Sequence, residues 1–497
     1  MLLVLSASVF LVVVDNLIIN VALPTLQREL DATVTSLQWI VDAYALVFAC
    51  LLLAGGGLGD RWGRKRTLQI GLTLFAVFSA FAAFAGSATT LILWRGAMGI
   101  GAALVFPATL AIITNLFVDP VERAKAIGLW SAVSGMAVAF GPVAGGFLLE
   151  HFWWGSVFLI NVPIVVAALL VGRFLIPESK EPHHGRFDTV GLVTSVVGVG
   201  ALVYTVIESP HWGWGSAKSL GGFAVAAVVL TGFVRYEARH SHPLLDVRFF
   251  RNARFSAATG SVSLAFLSLF GFTFLVTQYF QFVRGYEPLE SGLRTVPFAV
   301  GAGITAPLAA RAALRWGTTR VVAAGLLNMA IGLFIMSRIE SDSAYWGPII
   351  VSMLLIANGL SLVTSPSTEA VMGSVPRERA GVASAVNDIS RELGGTLGVA
   401  ITGSIFISLY SPRIVEAFAG VPGLVESLPD GVFQEAQESV GAAFSVVAAS
   451  PPSVRPQVTE AINQSFMHGF GTACLVMSAF ALVGSVVALR FLPARSS

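Results

Sequence analysis

Gly56-Gly57-Leu58-Gly59-Asp60-Arg61-Trp62-Gly63-Arg64-Lys65-Arg66 is a glycine-punctuated, charge-dense stretch set between two long apolar runs. Four cations, Arg61, Arg64, Lys65 and Arg66, crowd a segment too short to be a domain. Short loops rich in Lys and Arg stay on the cytoplasmic side of a bilayer, because moving those charges across is costly. The glycines permit a sharp turn and a close approach of the flanking helices. Asp60 is the one anion, placed to pair with a neighbouring cation or to cap the next helix. The stretch reads as a topogenic turn between two membrane helices.

Composition agrees with a membrane chain. Charged residues make up 12% of 497 and apolar residues 55%, against the ~25% charged of ordinary soluble domains. Mean hydropathy is +0.79. A net charge of +2 gives no sign of a nucleic-acid partner. The two cysteines, Cys50 and Cys474, both fall in apolar runs and have neither disulfide nor metal-ligand spacing. The first run has no basic leader and continues into Asp15, Asn16 and Asn20, so it reads as a spanning helix, not a cleavable signal.

Apolar runs of ~20 residues mark spanning helices. Fourteen are expected: 3–23, 37–57, 68–86, 91–114, 125–149, 154–176, 189–208, 218–236, 255–282, 292–314, 320–338, 345–366, 381–410 and 466–491. With both termini in the cytoplasm, the outer segments and span ends hold only Arg28, Lys218, Arg284, Arg294, Arg338, Arg413 and Arg455. Most of the remaining Lys and Arg lie inside, and removing one central helix would invert the second half and destroy that bias.

An internal repeat supports the same count. Pro120-Val121-Glu122-Arg123-Ala124 precedes the fifth span, and Pro376-Arg377-Glu378-Arg379-Ala380 the thirteenth. At nearly the same spacing, Trp62-Gly63 follows the second span and Trp316-Gly317 the tenth, although Leu314 replaces Asp60 and Thr318 replaces Arg64. Two halves of similar architecture, with a substrate site between them, are common in secondary transporters. The expected organisation is an N-terminal six-helix bundle over 1–176 and a linker over 177–254 carrying two inserted helices at the periphery. A C-terminal six-helix bundle over 255–497 completes it. Within the linker, 235–254 suits an interfacial helix on anionic lipid. Residues 411–465 form a long outer loop, with an amphipathic helix possible over 432–447 and the prolines at 451, 452 and 456 breaking the rest.

Ionisable groups within spans are expensive, and each is a functional candidate. Asp15 lies near the middle of the first helix with Asn16 and Asn20, and Asp42 in the outer third of the second. A carboxyl in a poorly solvated cavity can take up and release a proton near neutral pH. Each also has a plainer reading: a packing hydrogen bond for Asp15, an interfacial group reaching water for Asp42. Arg95, in the fourth helix, needs a carboxylate, carbonyls or water, or else snorkels to the headgroups. Asp15, Asp42 and Arg95 are the proton-coupling candidates; Asn20, Tyr44, Gln278, Asn387, Asp388 and Arg391 are the substrate-binding candidates. Asp388 can instead be neutralised by Arg391 three residues on. Gly141-Pro142-Val143-Ala144-Gly145-Gly146 in the fifth helix suits close packing and a bend. No glycine-rich phosphate loop is present, and His183, His184, His240 and His242 read as ordinary loop residues, so neither an ATP motor, nor a metal site, nor a cofactor is expected.

Together, the Gly56–Arg66 stretch, Arg95 with Gly99 and Gly101, Gly141-Pro142 with Gly145-Gly146, and Asp15, Asn20 and Pro24 resemble the motifs of the major facilitator superfamily. Within it they resemble the fourteen-helix drug:proton antiporter family. Trp154, Phe158, Asn161-Val162-Pro163 and Ala380-Gly381, Arg391, Gly394-Gly395 extend the likeness over nearly the whole chain. The resemblance implies an all-α fold of two pseudo-symmetric six-helix bundles plus two inserted helices. It implies a monomeric, non-enzymatic, proton-coupled exporter of drugs or hydrophobic and cationic small molecules in the cytoplasmic membrane, working by alternating access. By the same resemblance Gly56, Asp60, Arg61, Gly63 and Arg64 gate the cytoplasmic side, Gly141, Pro142, Gly145 and Gly146 form the antiporter motif, and Arg95 is linked to proton transfer. Gly59 stands where alanine is more usual. The alternatives are a dedicated exporter of one metabolite or lipid, and a non-transporting membrane sensor or scaffold.

Overall fold

The computed structural model describes all residues except 118, 180–187, 241–242, 244, 376–379, 422–423, 425–427, 429–430 and 494–497. Side chains at 53, 60, 120–121, 123–125, 127–128, 131–132, 134–135, 138–139, 380–382 and 449 are likewise outside the description.

The described elements are helical. The first half runs α1 (Leu2–Glu29), α2 (Val34–Trp62), α3 (Arg64–Ala83), α4 (Ala88–Leu116), α5 (Pro120–His151), α6 (Ser156–Leu159) and α7 (Asn161–Leu175). Next come α8 (Thr189–Trp212) and α9 (Ala217–Glu237). The second half runs α10 (Ala253–Gln278), α11 (Pro288–Trp316), α12 (Thr318–Met336), α13 (Ile350–Met372), α14 (Ala380–Ala419), α15 (Val432–Glu438), α16 (Val440–Ala449) and α17 (Arg455–Phe491). Thirteen segments among the described residues are long and apolar enough to cross a bilayer, α6 and α7 counting as one. The remaining expected span falls in α5.

Side chains at the helix starts take up the backbone N–H groups that the first turn leaves free. Thr33 does this for α2, Ser87 and Thr90 form a capping box for α4, and Asn252 caps α10. A bilayer offers helices no hydrophobic gain on meeting each other, so close packing of small residues and hydrogen bonds hold them together.

The two halves repeat one packing scheme. In the first, α1 packs on α5, α2 on α4, α3 on α4, and α3 on α7. In the second, α10 packs on α14, α11 on α13, α12 on α13, and α12 on α17. The halves join along α5–α11 and α2–α14, two seams that exchange when the halves are swapped. The repeat reaches the backbone itself: Gly63, between α2 and α3, has φ +107°, and Gly317, between α11 and α12, has φ +86°. Both lie in the left-handed region that glycine enters without steric cost. Helix α8 packs against both α2 and α14, and α9 packs chiefly on α8.

Four expectations need correction. The turn expected over 56–66 is a single residue: α2 continues to Trp62 and α3 starts at Arg64, leaving only Gly63 between them. The outer loop over 411–465 is largely helical. Its flanking spans run on past the bilayer, α14 to Ala419 and α17 back to Arg455, and Pro456 starts α17 instead of breaking a helix, because proline suits the first helical turn. The amphipathic helix of 432–447 is two short helices parted at Ser439. Between the end of α9 and the start of α10, the described residues of the 235–254 connector carry a 3-10 turn, Val247–Arg251, and no longer helix.

Candidate functional site

Asp15 is the centre of a buried polar cluster. Its Oδ2 accepts a hydrogen bond from Arg95 Nη1 at 2.5 Å, and its Oδ1 accepts one from Asn161 Nδ2 at 2.7 Å. Asn161 Nδ2 also donates to Ser79 Oγ at 3.0 Å, and Ser79 Oγ donates to the Phe158 carbonyl at 2.8 Å. The cluster draws on α1, α3, α4 and α7, and Asp15 is 1% and Arg95 0% exposed. Arg95 therefore does not snorkel.

The guanidinium has two anchors besides the carboxylate. Arg95 Nε donates to the Ile40 carbonyl at 3.1 Å, and the cation lies over the Tyr44 ring, 4.3 Å from its centroid. Tyr44 is itself fixed, its hydroxyl donating to the Val12 carbonyl at 3.3 Å. Arg95 Nη2 is buried and has no hydrogen-bond partner among the described residues. Helix α2 thus holds the arginine by two contacts that do not involve Asp15.

Asp42 presents the opposite situation. It is fully buried, and neither carboxyl oxygen has a hydrogen-bond partner among the described residues. It does not reach water at the interface.

The second-half candidates gather on α14 and α13. Arg391 Nη1 lies 3.9 Å from Asp388 Oδ1, and Arg391 Nη2 donates to Thr368 Oγ1 at 3.1 Å. Thr368 Oγ1 donates in turn to Asn387 Oδ1 at 3.4 Å. Asn20 bonds the Asn16 carbonyl, and Gln278 the Phe274 carbonyl, so each spends its amide on its own helix. Sequence reasoning passed over Glu392, which lies one turn after Asp388 and has a buried Oε2 without a partner among the described residues. The i, i+4 spacing was the available signal. It also missed Ser79, which nothing in its apolar surroundings marks out.

Two contact regions surround these clusters. At α5–α11, a Cβ on Gly146 would stand 2.5 Å from the Leu289 Cα, and one on Gly292 would strike the Pro142 carbonyl. Gly145 sits equally close to Ile18 of α1. At the basic end, Glu178 accepts hydrogen bonds from the backbone N–H groups of Lys65 (3.1 Å) and Arg66 (3.2 Å), and Arg64 N donates to the Ser179 carbonyl at 2.8 Å. The cap of α3 thus comes from the segment after α7. Arg64 Nη1 reaches the Ala111 carbonyl of α4 at 3.4 Å, Arg61 is exposed, and the side chain of Asp60 lies outside the described residues.

The sequence matches the family model described as Major Facilitator Superfamily over residues 5–399 and 258–495. It is 36% identical over 490 residues to the multidrug efflux pump LfrA of Mycolicibacterium smegmatis, covering 97% of this chain and 94% of the relative. It is 33% identical over 494 residues to the tetracenomycin C resistance and export protein of Streptomyces glaucescens, covering 98% and 90%. It is 33% identical over 471 residues to the methyl viologen resistance protein SmvA of Salmonella typhimurium, covering 93% and 92%. Among solved structures it resembles a bacterial homologue of the human lysosomal transporter Spinster in an inward-facing, unoccupied conformation, with TM-score 0.67, 18% identity and coverage of 100% and 98%. It also resembles a D-xylose-proton symporter, with TM-score 0.62, 16% identity and coverage of 99% and 97%.

Proposed function

Because the chain belongs to the major facilitator superfamily, as a multi-pass transporter of the plasma membrane and not an enzyme, we propose that it exports hydrophobic and cationic small molecules in exchange for protons. The observation that carries this reading is the buried Asp15–Arg95 pair, with the arginine anchored independently by Ile40 and Tyr44. Relatives named as efflux pumps and resistance proteins, matched over almost the full chain, support the choice of cargo.

The coupling follows from charge balance. Two facing states exchange protons for substrate only if they differ in affinity for each. With the seam between Gly146 and Leu289 closed, the outer side is shut, Asp15 is ionised and paired with Arg95, and its proton has gone to the cytoplasm. A cationic substrate then adds negative-charge demand on the remaining membrane carboxyls, Asp42, Asp388 and Glu392. Opening outward lets a proton reach Asp15, the pair with Arg95 dissolves, and α1 is freed to move against α4. Asp42, with no donor at either oxygen, is a second proton carrier, since a buried carboxyl without partners is tolerated in its neutral form. The protein works as a monomer with both termini in the cytoplasm, its two bundles over 1–176 and 255–497 rocking around a site between them.

The test is Asp15→Asn, which keeps the shape and removes the charge. Proton-driven efflux of ethidium from proteoliposomes should be lost while the protein stays folded and inserted. Uphill efflux at the wild-type rate with unchanged pH dependence would sink the proposal.

A further inference from the structure

A cavity of about 730 Å³ opens on the face opposite the basic loops, between the end of α1, the start of α2, residues 279–283 after α10, and the helices α15 and α16. Among the described residues, three carboxylates line it, Asp31, Glu435 and Glu438, against the one guanidinium of Arg28. An acidic rim alone would be ordinary solvated surface. Gln27 makes it more than that. It lines the cavity, is 2% exposed, and has no hydrogen-bond partner at either amide atom among the described residues. Gln281, also in the wall, donates to the Val21 carbonyl at 2.8 Å and leaves its own buried Oε1 unpartnered. Buried amides left unpaired are costly unless something in the cavity pairs with them.

The floor supplies an aromatic surface. Phe282 and Phe444 line the same cavity and stack with centroids 6.2 Å apart and planes 10° from parallel. Negative potential, amide acceptors and ring faces together match an organic cation: charge meets the carboxylates, and the cationic or aromatic body meets the rings. An inorganic ion is far too small to fill 730 Å³, and it has no apolar body to lay against the phenylalanines.

We propose that this cavity is a binding site for organic cations on the outer face, where cargo rests after leaving the central path. Its place in the transport cycle rests on the export reading above; the binding itself does not. Helices α15 and α16 then form the wall of a release vestibule. They are held to the body by Tyr410, whose hydroxyl donates to the Ala436 carbonyl at 3.1 Å, and by the Phe282–Phe444 stack.

The experiment uses the full chain in lipid nanodiscs with Ser445→Cys, a position on the cavity wall. The readout is the rate of maleimide labelling as tetraphenylphosphonium is added. Saturable protection is expected, weakened at least about fivefold in Glu435→Gln/Glu438→Gln and in Gln27→Leu. Potassium chloride at equal ionic strength should not reproduce it. Absence of protection, the same protection constant in both variants, or equal protection by potassium would each overturn the proposal. Ethidium efflux is measured in parallel: protection without efflux leaves the site standing and counts against export, whereas efflux without protection removes the site alone.

Discussion

Gly146 on α5 lies so close to Leu289 on α11 that a Cβ on the glycine would stand 2.5 Å from the Leu289 Cα. The contact joins the two halves, and the three nearest atoms are all backbone, Leu289 Cα, the Pro288 carbonyl oxygen and Leu289 N, so none can swing aside as a side chain would. Gly146→Val should therefore part the seam. Overpacking costs ~1–3 kcal/mol, equivalent to roughly a 5- to 150-fold change in the balance of two states. Spin labels on cysteines at Glu150 and Glu287 should report a longer distance in the variant. An unchanged distance distribution would show that the seam is not the closing contact.

The Asp15–Arg95 pair makes a different kind of prediction. Removing one member of a buried pair leaves an uncompensated charge and costs ~3–5 kcal/mol, while removing both is much milder. Arg95→Met should lower the unfolding midpoint in detergent more than Asp15→Asn does, because Arg95 keeps the Ile40 carbonyl and the Tyr44 ring. The double variant Asp15→Asn/Arg95→Met should recover much of the loss. Additive losses in the double variant would mean that the two side chains do not share one energetic unit.

Glu178 and Gly63 bear on the basic end. Glu178→Gln weakens a charged cap at the start of α3 and should cost about 1 kcal/mol. Gly63→Ala should cost more, since it combines φ +107° with a Cβ 2.6 Å from a Glu178 carboxylate oxygen. Amide hydrogen exchange at Lys65 and Arg66 should quicken in both, more in Gly63→Ala. Equal exchange in wild type and Glu178→Gln would remove Glu178 from the cap.

Orientation is tested by labelling. Cysteines placed at Ser497 and at Pro451 should react from opposite sides of the membrane, the first from the cytoplasm. Reaction of both from outside would contradict the orientation that the Lys and Arg distribution implies.

The architecture was legible because its signals are long-range and redundant: twenty-residue apolar runs, sidedness of charge, and repeated Trp-Gly turns at 62–63 and 316–317. Helix ends were less so. A window on hydropathy ends where polarity begins, whereas α2, α14 and α17 continue into polar sequence because their backbone hydrogen bonds have no reason to stop at the bilayer surface. The site was half legible. Asp15 and Arg95 are conspicuous as charges in apolar runs, but they lie eighty positions apart and nothing local pairs them. Ser79 and Glu178 were invisible as partners for the same reason: a serine in an apolar helix and a glutamate in a loop acquire meaning only from what folds against them.

Helix α8 covers one of the two seams between the halves. Trp39 of α2 meets Tyr204 of α8, and Ser404 of α14 donates to the Val206 carbonyl of α8 at 2.8 Å. No comparable helix packs on both α5 and α11 among the described residues, and Met136, Phe140 and Phe147 of α5 and Leu293, Val300, Ile304 and Leu308 of α11 are exposed. The pseudo-symmetric halves therefore meet the lipid asymmetrically. Of the two joints on which the halves must turn against each other, one carries an extra helix as a brace and the other is held by its own two helices alone.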